Sequence, residues 1–433
     1  MSLGTTKTAL IEQGHWLTVR DCKTVLVVVH TVTFAQRLRE VFGLLQADLR
    51  VQVVFTVAPH AFGSGVNRYL GDLGITTVPW DEALRTEFDL ALAAGSRGLH
   101  ELRTPLVRIS HGAGQIKLLT DTRSLAPGHR RTPGMLSRVH LVHDGRVVPT
   151  AIVYSHQRDL EELARSCPEA LPRAHVVGDP CVDRIRAELP RRGFYRDALG
   201  IEPDQRLVVV TSTWGLGSTF TRLDSLLPQL LAQVPGDRYR VALLLHPNVY
   251  ACHGRWQVRG WLGNCRGVAV VPPEADWQAL LIAADLIIGD HGSLTAYGTL
   301  TDAAMLLTSA PGREVSGHSP AALLAAAAPV VSPLHPLSEQ LEYAARRRRP
   351  GQYDEVAASL SSAPGEFHQR MRTVVYRLLG LGEPACPPVV EPPPLPSSLA
   401  EWEVGGDRGE RGERGERGER GERGERGERG AVR

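Results

Sequence analysis

The chain has 433 residues, too many for one ordinary hydrophobic core, so its length predicts two or three domains. Its 49 basic and 47 acidic residues leave a net charge of +2, which excludes a general attraction to nucleic acid or to acidic membrane surfaces. No apolar run reaches the roughly 18 to 20 residues that a membrane-spanning helix needs. The six cysteines are scattered without a CxxC pair, so we expect reduced thiols in a cytoplasmic protein.

The first half of the chain alternates short apolar runs with segments of helical periodicity. Runs of this kind form strands that are buried on both faces, and their alternation with helices is typical of a parallel sheet. We predict strands at 25–29, 51–57, 75–78, 90–94, 106–109 and 152–154.

The fifth of these strands runs into a polar, glycine-rich turn that contains His111 and Lys117. Turns at the carboxyl edge of a parallel sheet are where open α/β proteins bind ligands. His111 can act as a general base near neutral pH, and Lys117 can face an anion such as a phosphate. We predict a functional turn here; a histidine that only stabilises the loop is the alternative.

The alternation begins again after residue 200, and three of the strands predicted there end in polar turns at one edge of the sheet. The turn residues are Thr213 and Trp214, His246, and Asp290, His291, Gly292 and Ser293. The last turn leads into a predicted helix, whose free backbone N–H groups and dipole favour a bound phosphate. Gly292 would admit a ligand to the backbone, and Ser293 would cap the helix or bond a phosphate oxygen.

These patterns predict an α/β protein with two Rossmann-like domains, at 1–180 and 181–381, that face each other across a cleft. Residues 384–396 are rich in proline, and seven Gly-Glu-Arg triplets follow from Gly409. Alternating charges without apolar residues cannot bury a core, so we predict that 382–433 is a linker and a disordered tail. The spacing of histidines and cysteines indicates no metal site, and no motif indicates a cofactor.

Five short motifs between residues 105 and 310 resemble, in order and spacing, those of the CDP-glycerol glycerophosphotransferases, the teichoic-acid polymerase family. That family is related in fold to the GT-B glycosyltransferases. It carries a His-Gly followed by Lys, a Gly-x-Pro turn followed by Asp, a Thr-Trp, a His-Pro, and a late Asp-Tyr-Ser-Ser. The matching residues are His111-Gly112 with Lys117, Gly178 and Pro180 with Asp183, Thr213-Trp214, His246-Pro247, and Asp290 with Ser293.

The resemblance implies a GT-B fold and a transferase that moves a glycerophosphate or glycosyl group from a nucleotide-activated donor to a hydroxyl acceptor. His111 would be the base on the acceptor, and the second-half turn residues would hold the donor. A cell-envelope polymer is one candidate acceptor, reached through peripheral membrane contact; no nucleic-acid partner is expected.

Two alternatives stay open at this point. One is a catalytically silent nucleotide-binding module, because His291-Gly292 stands where the family has Tyr-Ser, and Tyr297 where it usually has a further Asp. The other is an enzyme similar to the UDP-sugar 2-epimerases, which fits the sequence His246-Pro247-Asn248 but lacks an early Gly-Thr-Arg-Pro-Glu counterpart.

Overall fold

The computed structural model describes residues 22–118 and 132–405. The strands of this part are β1 (Lys23–Val29), β2 (Val51–Val57), β3 (Thr77–Val78), β4 (Leu90–Ala93), β5 (Leu106–Ile109), β6 (Val142–His143), β7 (Arg146–Val147), β8 (Ala151–Tyr154), β9 (Ala174–Val176), β10 (Arg206–Ser212), β11 (Tyr239–Leu245), β12 (Val268–Val270), β13 (Leu286–Gly289) and β14 (Ala304–Leu307). Twelve of them form a seven-stranded sheet in the order β3-β2-β1-β4-β5-β8-β9 and a five-stranded sheet in the order β12-β11-β10-β13-β14, and β6 and β7 form a separate antiparallel hairpin. Both sheets are parallel, so the predicted α/β fold with two Rossmann-like domains is confirmed.

Helices cover the faces of both sheets. They are α1 (Val32–Phe42), α2 (Val66–Asp72), α3 (Trp80–Ala83), α4 (Arg138–Leu141), α5 (Gln157–Ser166), α6 (Pro180–Glu188), α7 (Arg192–Leu199), α8 (Leu223–Gln233), α9 (Pro247–Leu262), α10 (Gln278–Ala283), α11 (Ser293–Gly298), α12 (Pro320–Ala327), α13 (Leu337–Arg347), α14 (Asp354–Ala358), α15 (Phe367–Leu379) and α16 (Leu399–Trp402). None of these helices combines the length and the apolar character that crossing a bilayer requires.

Each sheet has a point at which its strand order reverses. In the first sheet β1 pairs with β2 on one side and with β4 on the other. In the second, β10 pairs with β11 and with β13. Ligands of open α/β sheets bind in the crevice beyond the carboxyl ends of the strands at such a point. The turns that contain Thr213 and Asp290 follow β10 and β13, so they flank this crevice in the second sheet.

The last long helix of the chain returns to the first half. Phe367, Met371 and Val375 of α15 are buried in one apolar cluster with Val27 of β1 and Leu38 of α1. The chain therefore crosses between the halves near residue 180, again before α15, and once more between α15 and α16. The domain bounds predicted from the sequence, 1–180 and 181–381, stay a prediction.

The structure corrects the prediction that the proline-rich segment is disordered. Leu399 of α16 is fully buried in the apolar core of the second half. The residues after it pair with the second sheet, where the Val404 N–H donates to the Val268 carbonyl at 3.0 Å. Arg372 holds the Cys386 carbonyl at 2.6 Å. Prolines remove backbone donors but do not stop an extended segment from docking its apolar residues. The Gly-Glu-Arg repeats lie outside the described residues.

We expect the change Leu399→Ala to lower the free energy of unfolding by about 2 to 5 kcal/mol, because it leaves a cavity in a packed core. Leu395 lies in the same segment but is 58% exposed, so Leu395→Ala should change the free energy of unfolding by less than about 0.5 kcal/mol. Chemical denaturation of both variants measures the difference. Equal stabilities would mean that the segment does not dock.

Candidate active site

A cleft between the two halves holds a cavity of about 1060 Å³, and residues of both halves line it. Every site residue predicted from the sequence lies along this cavity: His111, Lys117, Thr213, Trp214, His246, Asp290, His291, Gly292 and Ser293. The folded chain thus brings together turns that are far apart in the sequence.

His111 follows β5 and faces the cavity from the first half. A neutral imidazole ring keeps a lone pair on one of its two nitrogens, as a general base requires. Although the side chain is accessible from the cavity, loss of hydration, with Arg37 and Arg108 nearby, lowers the pKa of His111 to about 4.

His246 follows β11 and caps α9. Its Nδ1 atom accepts a hydrogen bond from the Asn248 N–H at 3.1 Å, so the neutral ring carries its proton on Nε2. Burial, and then the charges of Lys117 and His111, lower the pKa of His246 to about 3. At neutral pH this side chain is therefore an uncharged donor that can reach an anionic oxygen in the cavity.

Asp290 organises the turns at the strand reversal. Its side chain is buried, and its two carboxylate oxygens accept hydrogen bonds from the backbone N–H groups of Thr213 at 2.9 Å, Thr219 at 2.7 Å and Gly292 at 2.9 Å. The carboxylate thus holds the turn after β10 against the turn after β13. In this geometry Asp290 positions the neighbouring turn residues, and its own contact with a donor stays a prediction.

Ser293 joins the two halves at the floor of the cleft. Its hydroxyl oxygen accepts a hydrogen bond from the Ala113 N–H at 3.0 Å. Gly112 packs against the same oxygen, since a Cβ atom at Gly112 would lie 2.5 Å from it. Gly292 rather than Ser293 is the N-cap of α11, which is only six residues long. So short a helix has a weak dipole, and side chains must supply most of the attraction for a phosphate here.

Lys117 and Trp214 meet across the cleft. The Lys117 ammonium donates to the Trp214 carbonyl at 2.9 Å and lies 4.4 Å from the centre of the Trp214 ring. Burial lowers the pKa of Lys117, although the charges of Asp290 and Glu314 act against this. An ammonium has three donors, and Trp214 uses one of them. Lys117 can therefore still bind an anion in the cavity.

The segment around Lys117 also ties the halves together through backbone pairing. Lys117 forms an antiparallel bridge with Val315, and the Leu118 N–H donates to the Glu314 carbonyl at 2.8 Å. One wall of the cleft is therefore built from both halves.

His291 is buried beside the cavity, and its Nε2 atom has no hydrogen-bond partner among residues 22–118 and 132–405. Burial lowers the pKa of His291, while the charge of Asp290 raises it. A buried polar atom without a partner costs free energy. A ligand or solvent molecule in the cavity can supply the missing hydrogen bond.

Sequence reasoning missed a buried charged network below the His111 turn. Arg37 donates to the Asp179 carboxylate at 3.1 Å, to the Tyr297 hydroxyl at 2.9 Å and to the Gly112 carbonyl at 3.1 Å. The Tyr297 hydroxyl in turn donates to Asp179 at 2.8 Å. One signal was present, because Asp179 stands before Pro180 as a helix N-cap followed by proline at the first helical position.

Asp183 matches the Asp that follows the family's Gly-x-Pro turn, and in this protein it makes a structural contact. Its carboxylate accepts hydrogen bonds from the Gly365 and Phe367 N–H groups at the start of α15. It therefore fixes the helix that crosses back to the first half.

Comparison with solved structures finds the same architecture in other proteins. A variant of the wall teichoic acid polymerase TagF soaked with CDPG superposes with a TM-score of 0.58 at 12% identity, over 86% of this chain and 95% of that chain. Another TagF variant gives 0.56 at 12% identity, over 86% and 96%. The chain has a GT-B-like fold.

The UDP-GlcNAc 2-epimerase from Methanocaldococcus jannaschii superposes with a TM-score of 0.50 at 11% identity, over 82% of this chain and 99% of that chain. No protein-family model and no curated protein matches the chain. At these identities the likeness shows the fold alone, and the chemistry depends on the side chains that line the cleft.

Proposed function

We propose that the protein transfers a glycerophosphate or glycosyl group from a nucleotide-activated donor to a hydroxyl acceptor. The observation that carries this proposal is that one cleft holds two neutral histidines, one able to accept a proton and the other able to donate a hydrogen bond. His111 offers a lone pair from the first half, and His246 offers an N–H from the second half. Group transfer needs both, because one group takes the acceptor proton and the other stabilises the leaving oxygen.

In the proposed reaction, the acceptor hydroxyl gives its proton to His111. The acceptor oxygen forms a bond to the phosphorus or anomeric carbon that carries the nucleotide, and the bond from that atom to the nucleotide oxygen breaks. The electron pair leaves with the nucleotide, whose oxygens gain negative charge. The His246 Nε2–H and the Lys117 ammonium would stabilise that charge.

The low pKa of His111 fits this sequence of events. A ring with a pKa of about 4 is neutral at pH 7 but is a weak base. The negative charge of a bound donor would favour the protonated ring, and so would raise the pKa of His111 towards the useful range. Donor binding would then prepare the base.

A catalytically silent nucleotide-binding module is the second candidate, and one observation favours it. Three of the residues predicted to contact a ligand already have protein partners: Asp290 with backbone N–H groups, Ser293 with Ala113, and Lys117 with Trp214. Such a module would bind the nucleotide without turnover. A reaction similar to that of the 2-epimerases stays the third candidate, supported by the fold and by His246-Pro247-Asn248.

A thermal-shift screen with CDP-, UDP-, GDP- and CMP-linked donors, followed by a transfer assay on those that bind, separates these candidates. A donor at 100 times its dissociation constant should add about 2.7 kcal/mol of stability. Transfer to an added alcohol supports the transferase, whereas binding without turnover supports the silent module. Epimerisation of a UDP-sugar without an acceptor supports the third candidate. No binding by any nucleotide would refute all three.

We expect Ser293→Ala to weaken donor binding by about 1 to 3 kcal/mol if its hydroxyl bonds a donor phosphate. The hydroxyl oxygen accepts from Ala113, which leaves its own O–H free to donate to that phosphate. Calorimetric titration of the donor measures the loss. Ser225→Ala, which changes an exposed serine of α8, is the matched control and should bind as wild type does. Unchanged donor affinity in Ser293→Ala would remove Ser293 from the site.

A further inference from the structure

The first-half wall of the cleft is lined by more cationic than acidic side chains. Among the described residues that line it, Glu40 is the sole carboxylate, and Glu40 pairs with Arg184 at 2.8 Å. The cations of the same wall are Arg37, Arg39, Arg97, Arg108 and Lys117. This part of the cavity therefore favours a negatively charged occupant.

Arg108 is the least compensated of these cations. It lies on β5, its side chain is 97% removed from solvent, and one of its N–H groups donates to the His140 carbonyl. Its Nε atom has no acceptor within residues 22–118 and 132–405. Burial lowers the pKa of Arg108 to about 10, so the side chain stays charged at neutral pH. Buried arginines are normally paired, as Arg37 is with Asp179.

The position of Arg108 separates it from the proposed donor site. Arg108 lies on β5 and His111 in the turn just after it, and the charge of Arg108 helps to lower the pKa of His111. The proposed donor residues His246 and Asp290 instead follow β11 and β13 of the second sheet. Arg108 therefore lines the cavity from the first half, opposite the half that carries the donor residues.

We propose that Arg108 binds an anionic group of the acceptor, which makes the acceptor an alcohol that also carries a phosphate or a carboxylate. The inference rests on the proposed transferase function. A guanidinium binds either oxyanion through two parallel N–H donors, and burial strengthens the contact. The anion on Arg108 would hold the acceptor hydroxyl beside the free nitrogen of His111, on the side away from the donor.

The test uses inorganic phosphate and acetate as probes, titrated into the full-length protein by calorimetry and followed at the His111 ring by NMR. We expect at least one probe to bind and to raise the pKa of His111, because the anion offsets the charge of Arg108. Arg108→Met should weaken that binding at least tenfold, and Arg108→Lys should weaken it less. Donor affinity should stay unchanged in both. The relative affinities of phosphate and acetate identify the anionic group.

Arg85→Met, which removes an exposed arginine outside the cleft, is the matched control and should bind the probe as wild type does. Equal probe affinity in Arg108→Met and wild type, with equal melting temperatures, would overturn the proposal. A competition on wild type does not depend on any variant: if a saturating nucleotide displaces the probe, the anion site belongs to the donor and the proposal is wrong. Probe binding that depends on Arg108, in a protein that transfers nothing from any donor, would instead overturn the transferase and keep the anion site.

Discussion

Replacing His111 with alanine will lower turnover by about 10²- to 10⁴-fold, while donor affinity stays within about twofold of wild type. The ring takes the acceptor proton in the proposed reaction, and it is not among the groups that hold the donor. In wild type, kcat/KM should fall as the pH drops through the pKa of the free ring, about 4, because a protonated ring has no lone pair. In the donor complex the same fall should occur at higher pH.

Product formation and donor affinity are measured on the same preparations, after a check that wild type and variant melt alike. His335→Ala, which changes an exposed histidine before α13, is the matched control and should keep full turnover. Equal turnover in His111→Ala and wild type would contradict the base assignment. A parallel loss of stability, donor affinity and rate would show that His111 is structural.

The change Arg37→Met will lower the free energy of unfolding by about 3 to 5 kcal/mol, because it leaves the Asp179 carboxylate without its cation in a buried site. Arg37 and Asp179 have side chains that are 6% and 2% exposed, so water cannot replace the lost partner. The Gly112 carbonyl and the Tyr297 hydroxyl lose a donor in the same step. Denaturant unfolding followed by circular dichroism measures the change.

Arg68→Met provides the comparison for a pair at the surface. Arg68 and Asp72 lie 3.9 Å apart on α2, and both are more than half exposed. Exposed pairs contribute about 0.3 to 0.5 kcal/mol on a helix, so this variant should be close to wild type in stability. Similar losses in the two variants would mean that the buried network gives no special stability.

The sequence allowed the sheets and the cleft to be predicted because both depend on local patterns. Short apolar runs rich in β-branched residues, such as Val25–Val29, are typical of central strands, and the structure buries each of these residues completely. The carboxyl ends of parallel strands share one edge, so His246 and Asp290 had to lie near each other. An Asp-Gly pair is also a local signal, and at Asp144-Gly145 both residues adopt the positive φ angles, 46° and 73°, that a tight hairpin turn requires.

The contacts of the polar side chains could not be predicted, because they depend on which segments meet in space. Nothing local distinguishes Ser293 as an acceptor for the distant Ala113 N–H, or Arg108 as a buried cation without an acid. The docking of Leu399 was missed for the same reason. A leucine among prolines has no periodicity, and its burial depends on a groove that the second sheet provides.

The packing of α15 on the first sheet has a consequence for synthesis on the ribosome. The apolar core that contains Val27 and Leu38 is incomplete until Phe367–Leu379 emerges, long after β9 has left the exit tunnel. At about 5 to 20 residues per second, the gap between Val176 and Phe367 lasts roughly 10 to 40 s. During that time the nascent first half exposes the groove that α15 will fill. Chaperones that bind apolar surface should therefore associate with ribosomes stalled just before residue 367 and dissociate from those stalled well beyond α15.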